Sequence, residues 1–208
     1  MRVLVLVIIA FSLVGCYESG SSRTPLIKTE ALEAFALAQE AFRAGDNERA
    51  LPHARAAYLY DPAFDGAAWL FASLLGRTGQ YKEALEVSTQ LSAKSPDLAQ
   101  NHILEGILWE LNGDRESANR AYDRAVLLRE TSDSKGLEQI YVPLAVYLRF
   151  GKIRGVEAAN QSLALFPDDI TLHYLKRCMQ DKEREFLIRW FSEGPKLDTE
   201  TAIDVSLE

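Results

Sequence analysis

One interval organises this chain. Gly45, Gly79 and Gly113 stand 34 residues apart, and so do Ala50, Ala84 and Ala118. Asp61-Pro62 and Ser95-Pro96 keep the same spacing of 34. Three kinds of marker at one period describe a single supersecondary unit copied along the chain. After each glycine comes a short polar turn, then the alanine. The pattern reads as two helices joined by a tight turn. Glycine ends the first helix by taking a left-handed backbone that other residues resist, and proline cannot continue the second. The alanines sit where the two helices touch, so their small size lets the axes approach. A hairpin of this kind cannot bury its apolar faces alone; stacked neighbours supply the core, and the ends need caps. The expected fold class is therefore all-α.

Residues 31–64, 65–98 and 99–132 each resemble a tetratricopeptide repeat. That family marks its first helix with a large residue, leucine, a small residue and an aromatic, and its turn with glycine. Alanine, an aromatic, alanine and proline mark the second helix. The first copy matches through Leu37, Ala38, Gly45, Ala50, Ala57 and Pro62. The second matches through Ala72, Gly79, Tyr81, Ala84 and Pro96, and the third through Gly106, Trp109, Gly113, Ala118, Tyr122 and Ala125. Ala34, Ala68 and His102 depart from the first large position, and Glu130 stands where proline is usual. A divergent fourth copy, 137–168, fits through Tyr147, Gly151, Leu163 and Pro167, with its second half one residue short and a six-residue insertion, 131–136, before it. The resemblance implies four hairpins over 30–168 in a right-handed superhelix. Leu172, Leu175 and Met179 then form an apolar stripe at helical spacing, read as a capping helix over 169–192. The charged run 181–185 reads as a solvated face. Phe186, Leu187, Trp190 and Phe191 are expected to fold back onto the last repeat, the alternative being a hook for a partner. Residues 193–208 are acidic and aperiodic and read as a flexible tail.

At the other end, residues 3–14 read VLVLVIIAFSLV, with Ser12 the one polar residue and Arg2 just before them. A membrane span takes about 20 apolar residues; this run has the length of a signal-peptide core instead. It closes on Leu13-Val14-Gly15-Cys16, which resembles a lipobox. That resemblance implies a cleaved signal peptide over 1–15, a thioether-linked diacyl lipid on Cys16 and acylation of the new amine. The thiol is the nucleophile that takes the lipid. Several acyl chains, each stabilised by ~0.8 kcal/mol per buried CH₂, make a lasting anchor. Residues 16–29 follow as a lipidated tether rich in Gly, Ser and Pro, reaching at most ~45 Å. Tyr17 rather than Asp follows Cys16, which resembles lipoproteins sorted to the outer membrane in enteric Gram-negative cells. The expected location is the outer membrane, facing the periplasm.

Tetratricopeptide arrays bind along a concave face lined by the first helix of each hairpin, usually with the fifth repeat position pointing in. By this resemblance the groove residues are Phe35, Trp69, Ile103 and Tyr141, with Gln39, Phe42, Arg43, Ser73, Arg77, Ile107, Leu148 and Arg149 beside them. An apolar, largely aromatic ladder with arginines at one rim suits a peptide. Family members that grip a terminal carboxylate use a lysine and asparagine set, and position five here is aromatic or aliphatic. The expected protein partner therefore offers an amphipathic helix or an extended apolar segment.

Other classes are disfavoured. The formal charge is −7, and loss of Arg2 with the signal peptide makes it −8. An acidic surface without a basic stripe repels phosphate backbones, so nucleic acid is not an expected partner. His53, His102 and His173 are far apart, and packing explains the last two. No HExxH, cysteine pair, phosphate-cradling loop or nucleophile elbow occurs. No catalysis, metal, small-molecule substrate or cofactor beyond the Cys16 lipid is expected. Carboxylates such as Glu116 have a basic neighbour one turn on, here Arg120, as solvated pairs do. Cys178, flanked by Leu175 and Met179, reads as a buried apolar cysteine rather than a reactive thiol. Small lipoproteins of such repeats resemble the pilotin-type factors of type IV and tight-adherence pili, which implies help in assembling a pilus or secretin. An adaptor docking cell-wall hydrolases or synthases is the alternative, and a purely structural lipoprotein a third reading. Cys16→Ser should remove the protein from the membrane fraction on cell fractionation; persistence there would refute the anchor.

Overall fold

The computed structural model of the chain describes residues 27–131 and 138–193. Ten helices fill them: α1 Thr29–Arg43, α2 Asn47–Tyr60, α3 Asp65–Arg77, α4 Tyr81–Lys94, α5 Ala99–Leu111, α6 Arg115–Thr131, α7 Glu138–Phe150, α8 Lys152–Leu165, α9 Ile170–Asp181 and α10 Arg184–Glu193. Neighbours pair into hairpins, α1 with α2 through α7 with α8. The second helix of each hairpin leans on the first helix of the next, and first helices also meet, α3 with α5, α5 with α7 and α7 with α9. This is an all-α array of tetratricopeptide type. One apolar core runs through it from Ala38 to Ile188.

The turns are built as the repeat requires. Gly45, Gly79, Gly113 and Gly151 have φ of +79°, +77°, +88° and +87°. After the first and third, an aspartate caps the following helix: Asp46 accepts from the Arg49 amide and Asp114 from the Ser117 amide, both at 3.0 Å. In the fourth hairpin Gly151 is itself the cap, and α8 is as long as α2 and α4, 14 residues. The residue missing from that copy is thus lost from the turn and not from the helix.

Where the helices cross, size is matched pair by pair. The first two copies place buried Ala38 and Ala54, then Ala72 and Ser88, at two equivalent positions. The third carries Tyr122 at the second of them, and a Cβ on Gly106, at the first, would stand 2.4 Å from its ring. In the fourth copy Gly155 plays the part of the turn-side alanine, and its Cβ would lie 2.5 Å from the Cβ of Tyr147. Tyr122 and Tyr147 sit where glycine makes room.

His102 and His173 also repeat a contact. Each ring Nε2 meets a proline carbonyl six residues back, Pro96 at 2.8 Å and Pro167 at 2.7 Å. α9 therefore starts as the first helix of a fifth hairpin. The single capping helix expected over 169–192 is in fact two. Asp181, Lys182 and Glu183 are exposed and have no apolar side to pack, and Lys182 is extended, φ −109° and ψ 157°. The helix breaks there, and α10 does not pair with α9 as α8 pairs with α7. Cys178 is buried, 4% exposed. Among the described residues no helix is long and apolar enough to cross a membrane.

One polar cluster interrupts the core. Glu105 occupies the repeat position of Leu37 and Phe71, and it is buried. His102 Nδ1 lies 3.9 Å from its Oε2, and Arg124 of α6 lies 3.9 Å from its Oε1. Burial pushes the Glu105 carboxyl up, but His102, Ser92, Arg124 and Trp109 together more than offset this and hold it below its ordinary value of 4.5. A carboxyl lowered on folding stabilises the fold at higher pH and loses that contribution as pH falls from its ordinary value through its native one.

Two predictions follow the packing. Gly106→Ala should cost about 1–3 kcal/mol by overpacking, and a cycle with Tyr122→Ala in urea melts should show coupling between the two sites; strict additivity would refute the contact. Glu105→Gln should flatten the loss of stability below about pH 4.5; an unchanged acid limb would show that the cluster carries none of it.

Candidate peptide-binding groove

The groove begins on α1 and α3. Phe35 meets Phe64 edge-on, ring centroids 4.7 Å apart. Gly66 permits this, since a Cβ there would stand 2.9 Å from the Phe64 ring and 3.5 Å from the Phe35 ring. The Arg77 guanidinium covers the Phe42 ring at 4.9 Å and ties the two first helices together across the groove. Phe35, Phe42 and Trp69 pack their inner edges on the core and remain partly exposed, as do Gln39 and Arg77; Arg43 is exposed. All six keep exposed surface, three of them aromatic and two of them arginines, and Phe42 and Arg77 meet. Stacking of arginine on an aromatic face suits a site that must hold flat apolar groups while staying wetted.

The other half differs from the expectation. Ser73, Ile103, Ile107 and Leu148 are 1%, 0%, 1% and 3% exposed, so none of them can line an open groove. The reason is the direct packing of first helices. α5 comes so near α3 that a Cβ on Gly76 would stand 2.5 Å from Leu108 Cδ2. Tyr141 keeps partial exposure. Arg149 is drawn away from the rim: its Nε donates to Asp123 Oδ1 of α6 at 2.6 Å, and its guanidinium lies 5.0 Å from the Phe150 ring.

What the sequence did not reveal is that Arg184 of α10 covers the edge of this half at Glu110 and Leu148. Numbered from the start of each repeat, Glu110 falls at position 12, the position of Phe42 and Leu148. Arg184, the first residue of α10, pairs with the Glu110 carboxylate and donates to the Leu148 carbonyl at 2.7 Å. Tyr122, fully buried, donates its hydroxyl to the other Glu110 oxygen at 3.0 Å. Burial opposes the Arg184 charge, yet the Glu110 carboxylate more than offsets it and raises the guanidinium pKa. Burial, and then Glu110, push the Tyr122 phenol up. Leu187 and Ile188 follow, both buried in the main core. The arginine at the head of α10 thus bridges the ends of α5 and α7. Within the charged run only the burial of Arg184 separates it from its solvated neighbours; the readable hint is Glu110, a carboxylate at a groove position in an otherwise apolar helix.

Trp190 and Phe191 belong to α10, but their side chains lie outside the described residues, as do Cys16, the signal segment 1–15 and the tail beyond Glu193. Among the described residues no group of three or more His, Cys, Asp and Glu could hold a metal ion.

No family model and no curated protein matches the sequence. Among solved structures, the chain is similar to the crystal structure of MamA protein, at 13% identity and a TM-score of 0.46, covering 86% of this chain and 92% of that one. It is also similar to a MamA RS-1 ArsTM double mutant, at 16% identity and a TM-score of 0.47, covering 87% and 97%. At such identities and scores neither likeness bears on function.

Proposed function

We propose that this chain is a membrane-anchored protein-interaction scaffold that captures an apolar segment of an envelope protein and so assists assembly of a machine such as a type IV pilus or secretin. The observation that carries this reading is the α1–α3 surface, where Phe42 lies under Arg77 and where Phe35 and Trp69 are also partly exposed. Large flat side chains near charges are the usual anchors of protein recognition. The partner offers an apolar helix or extended segment whose side chains settle between those rings. The lipid on Cys16 supplies the address: it confines the groove to within ~45 Å of the bilayer, which raises the effective concentration of any partner in the same membrane.

The reading is tested by placing a photo-crosslinking residue at position 42 or 69 in living cells and identifying the adducts by mass spectrometry. The same partner should be captured from both positions and not from Ile153, which is 84% exposed on α8, away from the groove. Phe42→Ala should lower capture at least tenfold while the melting transition persists. Equal capture from position 153, or capture unaffected by Phe42→Ala, would overturn the groove as the binding surface.

A further inference from the structure

The contacts of α10 describe a binding site as well as a cap. In a fifth hairpin the helix after α9 would run back along it as a second helix. Instead the chain turns at Lys182, and Arg184 at the head of α10 reaches the ends of α5 and α7, where two acceptors receive it. A carboxylate, Glu110, is held by the buried Tyr122 hydroxyl and aimed at the first residue of the helix. A free backbone acceptor at the end of α7, the Leu148 carbonyl, takes the second guanidinium nitrogen. Leu187 and Ile188, one turn on, are buried in the main core. Arginine rather than lysine suits this pair of acceptors because its planar fork can bond both at once.

The helix itself is a poor permanent part. It has 10 residues, shorter than helices that persist alone in water; it packs sparsely on α9 and reaches α5 and α7 through Arg184. A segment that folds only on its seat can be replaced by another of the same chemistry. We propose that the α5–α7 end of the groove is a receptor for a short amphipathic helix with arginine in its first turn, that α10 fills it in cis, and that the partner enters by displacing α10. This rests on the groove reading for the partner's existence, but the site itself is testable with the chain's own helix as probe, so the two can fail separately.

A fluorescent peptide of residues 183–193 is titrated by anisotropy against the purified full chain. The intact chain should bind it weakly, because α10 competes at high local concentration. Full-chain Arg184→Ala/Leu187→Asp, which releases α10, should bind it at least tenfold more tightly, and adding Glu110→Gln should remove at least tenfold of that gain. A peptide lacking the arginine should lose a similar factor. If the double variant loses its cooperative melt, Arg184→Ala alone carries the comparison and should bind between the two. Equal affinity of intact and released chains, or binding indifferent to Glu110, would overturn the proposal. So would an intact chain that takes up no peptide yet forms dimers abolished by Arg184→Ala, since α10 would then be exchanged between two copies.

Discussion

A hairpin of two short helices has apolar side chains on more faces than its own partner can cover. In this chain the deficit is met sideways, by laying each second helix against the next first helix and the first helices against one another. Everything else depends on how closely those axes come. Buried alanines at Ala38, Ala54 and Ala84 set the distance in the early hairpins, and Gly106 and Gly155 reset it where Tyr122 and Tyr147 need space. Because each hairpin touches only its neighbours, the array has two ends with uncovered faces, and each end is finished differently. At the start, Lys28 donates to the Tyr60 carbonyl at 2.8 Å and closes the first hairpin. At the other end, α9 completes the stack and α10 leaves it.

That asymmetry divides the groove. The α1–α3 end shows aromatic rings edged by arginines; at the α5–α7 end the position-12 acceptors are taken by Arg184. Packing of first helices and closure by α10 are separate causes. The first buries Ile103 and Ile107 whatever the tail does, while the second governs only the edge at Glu110 and Leu148. On the proposed reading, one end of the array offers a binding surface and the other holds α10 where a partner helix would sit.

The fold was legible because its signals are local and periodic. Gly45, Gly79, Gly113 and Gly151 announce turns by a backbone requirement that few residues meet, and the prolines announce ends. The site was legible in part. Position within a repeat gives the direction of a side chain relative to its own helix, and Phe42 and Trp69 do keep exposed surface. It does not tell how near the neighbouring first helix lies, so Ser73, Ile103 and Ile107 were read as open. Nor could it tell that Arg149 would find Asp123 on the preceding hairpin. The turn at Lys182 was hidden for a different reason: an apolar stripe before a charged run and apolar residues after it fit one helix or two, and only the contact between residues 110 and 184 decides.

The claim that hairpins stand only by leaning on their neighbours is tested most directly by native-state hydrogen exchange across the array. Amides of α4 to α7, supported on both sides, should exchange only through the largest opening, with those of α1 and α2 released at distinctly lower free energy and α10 lower still. Protection of α1 and α2 equal to that of α5, or hairpins opening independently with similar energies, would contradict it.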